Sequence, residues 1–481
     1  MECLRQLRAA LPFLIIIFSL SGLVFDATSS AQKPGDSPTA GGSISRNAVS
    51  TITGLPTEWD LSEGRNVKWV VPLGSVTYGT PVVAGGMVFI GTNNQGLRNP
   101  SEDGDRGVLM AFREADGEFL WQATSTKLDA GMVNDWPEQG ICSTPHVEND
   151  RLYYVTSRCE VVCLDTQGFQ DGENDGPFQE EASREAIDAD IVWVLDMMKE
   201  LKVFPHNMTS SSPAVYGDLL FVGTSNGVDE EGHLPSPEAP TLLAIDKKTG
   251  KVAWSDNSPG PNILHGQWSS PAVGEIGGIV QVVMGMGDGW IRAFEAQSGK
   301  KLWEFDTNPK ESQWPQDRNN VIAAPVIVGD RVYIANGQDP ENGDGVGHFY
   351  AIDATKRGDI TESGRIWHYG DIRRSISSAA VDKDLIYIAD FAGFLHCLDA
   401  ETGQPKWVHD TFAPVWGSPL VADGKVYLGD EDGDVVVLAA GPEEKVLAEI
   451  NMEGAVYTNL VPANGVLYVA SHRQLFALQV K

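Results

Sequence analysis

The sequence predicts an all-β protein, an eight-bladed β-propeller of four-stranded antiparallel blades, and three observations predict it. A tripeptide of small residue, large apolar residue and usually an acid closes an alternating segment eight times. A tryptophan follows its small residue at a fixed distance, and a small-Pro step opens each unit. Self-similarity with four short strands per unit of roughly 40 to 65 residues is the mark of propeller blades rather than of solenoid turns.

The tripeptides are Ala111-Phe112-Arg113, Cys163-Leu164-Asp165, Ala244-Ile245-Asp246, Ala293-Phe294-Glu295, Ala351-Ile352-Asp353, Cys397-Leu398-Asp399, Val437-Leu438-Ala439 and Ala477-Leu478-Gln479. Ten residues after the small residue stand Trp121, Trp254, Trp303 and Trp407, each preceded four positions earlier by Gly117, Gly250, Gly299 and Gly403. A fixed offset implies a fixed tight turn. Trp193 and Trp367 come later, after insertions, and the seventh unit puts Leu447 at this place. The opening steps are Thr80-Pro81, Thr144-Pro145, Ser212-Pro213, Ser270-Pro271, Ala324-Pro325 and Ser418-Pro419, with Ser378-Ala379 and Thr458-Asn459 as degenerate members. A second alternating strand such as Met87-Val88-Phe89-Ile90-Gly91 follows. The eighth unit ends at Lys481 without room for a Trp strand, whereas Asn66-Val67-Lys68-Trp69-Val70-Val71 is an orphan one. The N-terminal strand is therefore expected to complete the last blade and close the ring, which removes an open edge.

The run Ala244-Ile245-Asp246-Lys247-Lys248-Thr249-Gly250-Lys251-Val252-Ala253-Trp254 resembles the tryptophan-docking repeat of the pyrroloquinoline-quinone (PQQ) type, or quinoprotein-type, β-propellers, over about residues 65–481. The resemblance implies that each Trp packs against the next blade and that the small residue lets neighbouring blades approach. The family is similar in fold to the propeller subunit of the outer-membrane barrel-assembly machinery.

Ahead of the propeller, Arg5 and Arg8, an apolar run from Ala9 to Phe25 and small residues up to Ala31 form the pattern of a secretory signal peptide over residues 1–31. No cysteine follows the run, so a lipoprotein anchor is not indicated, and no stable membrane span is expected after cleavage. Residues 32–64 read as a flexible or extended linker. The expected location is extracytoplasmic, in the periplasm, at the outer membrane or outside the cell. With 35 Lys and Arg against 66 Asp and Glu, the formal net charge of −31 repels phosphate backbones, so nucleic acid is not an expected partner.

Cys163 and Cys397 occupy the small-residue position and read as buried apolar groups. Cys142 and Cys159 fall in one blade, near the start of its first strand and at the turn after its second. A disulfide between them is the candidate pairing for an oxidising compartment. No Cys-x-x-Cys or Cys-x-x-Cys-His occurs. No Gly-x-Ser-x-Gly elbow, phosphate-cradling Gly-Lys-Ser/Thr loop or His-Glu-x-x-His helix occurs either, so hydrolase and nucleotide-transfer readings lack support.

The longest insertions on one propeller face lie at about 92–106, 224–240 and 336–347 and make it the expected binding face. Three residues before the Pro position the chain should reach the channel mouth, where the eight occupants are Tyr78, Cys142, Ser210, Trp268, Ile322, Ile376, Trp416 and Val456. Tyr78, Trp268 and Trp416 could stack on a flat ligand or on a partner's side chain, with loop packing as the competing reading. Nearby His265, Arg373 and Arg374 add polar groups, and an Arg pair could hold a carboxylate or serve in surface ion pairs. Two acidic glycine turns, Asp430-Glu431-Asp432-Gly433-Asp434 and Glu341-Asn342-Gly343-Asp344-Gly345, tempt a calcium reading, although the first sits where Asp-Gly turns are favoured for backbone reasons.

The resemblance leaves two function classes. The first is a secreted, non-catalytic scaffold or ligand-binding module that takes a protein or small ligand on the loop-rich face and needs no cofactor. The alternative is a PQQ- and calcium-dependent dehydrogenase oxidising an alcohol or sugar. For that alternative the adjacent Cys pair often found beside the quinone is missing, and no catalytic residue carries over.

Overall fold

Seven of the eight small residues sit opposite a tryptophan across a strand pair, and this register builds the ring. In the computed structural model, which describes residues 33–338 and 340–480, the pairs are Ala111 with Trp121, Cys163 with Trp193, Ala244 with Trp254, Ala293 with Trp303, Ala351 with Trp367, Cys397 with Trp407 and Ala477 with Trp69. The segment read as a signal peptide lies outside the described residues. Eight antiparallel sheets, blades 1 to 8 in chain order, each run from a strand beside the channel outward. In blade 1 these strands are Val82–Ala84, Met87–Asn93, Arg106–Arg113 and Phe119–Thr126. Blade 8 takes Val461–Ala463, Val466–Ala470 and Gln474–Leu478 from the C-terminus and its outer strand, Val67–Pro72, from the N-terminal side. The ring closes as the sequence predicts. Among the described residues no helix is long and apolar enough to cross a membrane.

The indoles join neighbouring blades. Trp69 Nε1 donates to Glu114 O at 3.0 Å, Trp121 to Thr166 O at 3.0 Å, Trp193 to Lys247 O at 3.0 Å, Trp254 to Ala296 O at 2.9 Å and Trp367 to Ala400 O at 3.2 Å. Each acceptor lies three residues past the next blade's small residue. The recurring glycine receives the ring itself: a Cβ on Gly250 would stand 2.7 Å from Trp193, and one on Gly403 2.6 Å from Trp367. Both glycines also sit at left-handed φ, +71° and +70°, so the position excludes a side chain on two counts. Eight apolar clusters follow, one at each blade interface, as where Phe89, Ala111 and Trp121 of blade 1 meet Leu152, Tyr154 and Leu164 of blade 2.

Two units depart from this pattern. The insertion before Trp367 adds Gly358–Asp359 in parallel to the outer strand of blade 4, at Trp303 and Glu304. Trp303 Nε1 turns to Gln281 Oε1 at 2.9 Å, within its own blade. In blade 7 the residue opposite Val437 is Ala448, not Leu447, because the preceding turn is one residue longer; Leu447 falls on the bulge and is 38% exposed.

The segment expected to be a flexible or extended linker is extended, and it is bonded into the ring. Ser37 exchanges two backbone hydrogen bonds with Val83 of blade 1, both 2.9 Å, and the carbonyl of Pro38 accepts from Val147 N of blade 2. The carbonyls of Ile44, Ser45 and Ala48 accept from Val273 of blade 4, Ile327 of blade 5 and Val421 of blade 7. Asn47 bonds both backbone groups of Val381 in blade 6, and Gly35 O accepts from Asn464 N of blade 8. Val49–Ser50 then pairs in parallel with Val421 and Ala422. The inner strands have unpaired channel-side edges, and an extended chain laid around them satisfies those groups. Blade 3 is reached by a side chain, that of Arg46.

Candidate functional site

Arg46 lies at left-handed φ (+64°) and is 2% exposed. Its guanidinium donates to Ser212 O at 2.8 Å, Pro213 O at 2.9 Å and Pro271 O at 2.9 Å, in blades 3 and 4, with longer bonds to Ala40 O and Thr39 Oγ1. Burial lowers its pKa to about 10, which leaves it charged at neutral pH. Ala40, Gly41, Arg46 and Ala48 thus floor the channel and turn it into a cup of about 490 Å³.

The waist of the cup is a hydrogen-bonded ring made by the residues of the opening steps. Each backbone N–H donates to the side chain of the next blade: Thr80 to Thr144 at 3.3 Å, Thr144 to Ser212 at 3.0 Å, Ser212 to Ser270 at 2.9 Å, Ser378 to Ser418 at 2.9 Å, Ser418 to Asn459 at 2.6 Å and Asn459 to Thr80 at 3.2 Å. Among the described residues the ring is open on both sides of blade 5: Ala324 offers Ser270 N no acceptor, and no such bond joins Ala324 N to Ser378. Asn459, not Thr458, is therefore the blade 8 member. This shifts the register by one: Val456 is buried in the blade 7–8 core, and Tyr457 takes its place in the cup wall.

Seven of the eight expected mouth residues do line the cup: Tyr78, Cys142, Ser210, Trp268, Ile322, Ile376 and Trp416. Tyr78, Trp416 and Tyr457 form one aromatic group, with ring centroids 5.6 Å apart for Tyr78 and Trp416, 4.8 Å for Tyr78 and Tyr457, and 5.3 Å for Trp416 and Tyr457. Trp416 Nε1 donates to Glu431 Oε2 at 3.0 Å. Trp268 stands apart, with Nε1 shared between His206 O and Met208 O, each at 3.2 Å. His265 is not on the wall; its ring packs 4.0 Å from His206 and 5.9 Å from Trp268, behind that indole. Trp136 and Glu341 reach the cup from mouth-face loops, and nothing in the repeat pointed to them.

The two arginines do not meet at the cup. Arg374 is held by Asn319 Oδ1 at 3.0 Å and by Asn342 O, while Arg373 is exposed beside a second recess between blades 5 and 6.

The expected Cys142–Cys159 bridge is not formed, since both are free thiols. Cys159, at φ +70°, turns into the blade 2–3 interface, where its Sγ lies 3.7 Å from Thr224 O. Cys142 faces the cup instead, 3.9 Å from Gly140 O, and burial pushes its thiol up to about 12. Cys142 precedes the inner strand and opens on the channel, whereas Cys159 sits in the turn after the second strand and points between blades 2 and 3, so the two thiols face different spaces.

The acidic turn of blade 7 caps itself: Asp430 Oδ1 accepts from Asp434 N at 2.9 Å. In the other turn, Gly345 packs directly on the Arg374 side chain. Asp229, Glu231 and His233 are the described residues close enough to share a cation, but the first already caps the backbone N–H groups of the other two.

A family model described as outer membrane protein assembly factor BamB matches residues 104–368 and 350–443. The outer membrane protein assembly factor BamB of Shewanella oneidensis is 24% identical over 260 residues, 47% of this chain, and the chain spans 60% of that relative's length. Among solved structures, BamB from Moraxella catarrhalis superposes with a TM-score of 0.55 at 16% identity, covering 86% of this chain and 96% of the other. Quinohemoprotein alcohol dehydrogenase from Comamonas testosteroni superposes with a TM-score of 0.63 at 14% identity, covering 94% and 81%. At these identities the structures speak to the fold alone. With the matched model covering most of the ring that the repeat register, the indole contacts and the N-terminal closing strand build, the chain belongs to the BamB family of PQQ-like β-propellers.

Proposed function

We propose that the protein is an extracytoplasmic, non-catalytic propeller that holds a protein partner against its mouth face. The observation that carries the reading is apolar exposure. Phe412, 87% exposed, Val346, 60% exposed, and Leu97, Met132 and Trp314 stand on five different loops of that one face. Scattered apolar residues are ordinary on a surface, and Tyr216, Val446 and Val480 are exposed elsewhere, but the two most exposed large ones among the described residues, Phe412 and Val346, both stand on this face, which fits an interaction surface. The relatives named as outer membrane protein assembly factors support a role beside other proteins outside the cytoplasm.

The cup's donor set argues against the quinoprotein reading. PQQ is a polycarboxylate and needs cations around it. Among the described lining residues the charged ones are Arg46 and Glu341, and Arg46 already donates to five oxygens.

A photo-crosslinking residue at position 412 or 314 tests the scaffold reading, with position 216 on the opposite face as control. The expected result is a discrete protein adduct from the mouth-face positions, lost when Met132 and Val346, on other loops of the same face, become Ser in a variant that melts like the parent. Adducts from position 216 alone, or from no position, would overturn it.

A further inference from the structure

We propose that Tyr78, Trp416 and Tyr457, backed by Glu431, form a receptor site for an organic cation in the cup wall. The inference deepens the mouth-face reading above and rests on it for the biological source of the ligand. Three rings from consecutive blades 7, 8 and 1 gather here, all half-buried and all lining the cup. Aromatic faces attract ammonium and guanidinium groups, and more strongly where water is scarce. The carboxylate that holds the Trp416 indole adds a fixed negative charge behind the rings. Its field reaches both phenols: burial raises the pKa of each first, the Glu431 charge comes next for Tyr457, and for Tyr78 it adds a smaller push after Cys142 and Tyr457. The cup's own cation, Arg46, turns toward blades 3 and 4 on the far side of the ring and offers the site no competing group.

A neutral flat ligand would use the rings but not the charge, and this difference makes the proposal testable. The source of the cation is either a small free ammonium compound or a basic side chain of the docked partner. The experiment is calorimetric titration of the whole protein at low salt with choline, with N-acetyl-arginine amide, and with 3,3-dimethylbutan-1-ol, the uncharged isostere of choline. Saturable binding of a cation, about ten-fold tighter than the isostere, is expected. Tyr457→Leu should weaken it about five- to ten-fold and Glu431→Gln a few-fold; the latter keeps an acceptor for the indole, so folding is not at issue. Tighter binding of the arginine derivative assigns the site to a partner's side chain, and tighter binding of choline assigns it to a small ligand. The proposal is overturned if neither cation binds, if the isostere binds as well as choline, or if both variants bind like the parent. Because the titration needs no partner, its failure is distinct from failure of the crosslinking experiment.

Discussion

Replacing Arg46 by Met keeps the aliphatic stem and removes the guanidinium, and so isolates what the floor contributes. Three backbone carbonyls, Ser212 O, Pro213 O and Pro271 O, lose charge-assisted bonds of 2.8 to 2.9 Å. An orphaned buried acceptor costs about 1 to 3 kcal/mol, and water from the cup can reach these three, which favours the low end of that range. The expected loss is about 3 kcal/mol. Arg46→Lys, able to restore one such bond, should lose about 2 kcal/mol. The first assay is urea unfolding, read as a fall in midpoint at unchanged slope. The second is thermolysin resistance in the native state: the bond before Ile44 should become cleavable in Arg46→Met well before any bond within a blade. A variant within about 0.5 kcal/mol of the parent, with unchanged thermolysin resistance, would refute the view that this side chain fastens the N-terminal segment across the channel.

The interface glycines and a buried carboxylate give two more tests. Gly403→Ala would set a Cβ 2.6 Å from the Trp367 ring at a φ of +70°, and thermal unfolding should show a loss of about 2 to 3 kcal/mol, whereas Gly424→Ala, at the same φ with open space around it, should lose about 1 kcal/mol. Equal losses at both positions would mean that backbone strain alone, and not the ring, excludes a side chain. Burial raises Asp430 from its ordinary 3.8 to about 6. A carboxyl raised on folding contributes stability that is complete below pH 4 and is lost as pH climbs through about 6, so Asp430→Asn should stabilise the protein by about 1 kcal/mol at pH 8 and not at pH 4. A pH-independent difference in urea midpoint would contradict that assignment.

The parts of the molecule that were legible in the sequence are those written in side chains. Trp254 and Gly299 recur in fixed relation because an indole from one blade must lie on a glycine of the next, and that contact excludes other residues. The N-terminal segment was not legible, because its bonds run largely from its own backbone to backbone groups of the inner strands, which any sequence supplies. Arg46 carries no signal of its own, since four of its five acceptors are backbone carbonyls. Tyr457 was missed for a smaller reason: Asn459 does with an amide what Thr80 and Ser212 do with a hydroxyl, and the search for a small residue passed over it.

The repeated and the unrepeated positions differ in what they must satisfy. Outer-strand tryptophans stand in seven blades, and in five of them the same contact with a glycine of the next blade recurs; the eighth position, Ala448, sits where the turn lengthens. The cup wall obeys no such rule. Tyr78, Cys142, Ser210, Trp268, Ile322, Ile376, Trp416 and Tyr457 occupy equivalent backbone places yet belong to five residue types, so the geometry of the ring does not dictate them. Three aromatic residues on consecutive blades, beside the one carboxylate that holds an indole in the cup wall, are then a chemical feature rather than a packing one. The N-terminal segment gives that feature a direction. By flooring the channel it leaves the mouth as the approach to the cup, and the exposed Phe412, Trp314 and Val346 stand around the mouth. A partner seated on the rim would lie over the aromatic wall, so docking outside and recognition inside can be one event.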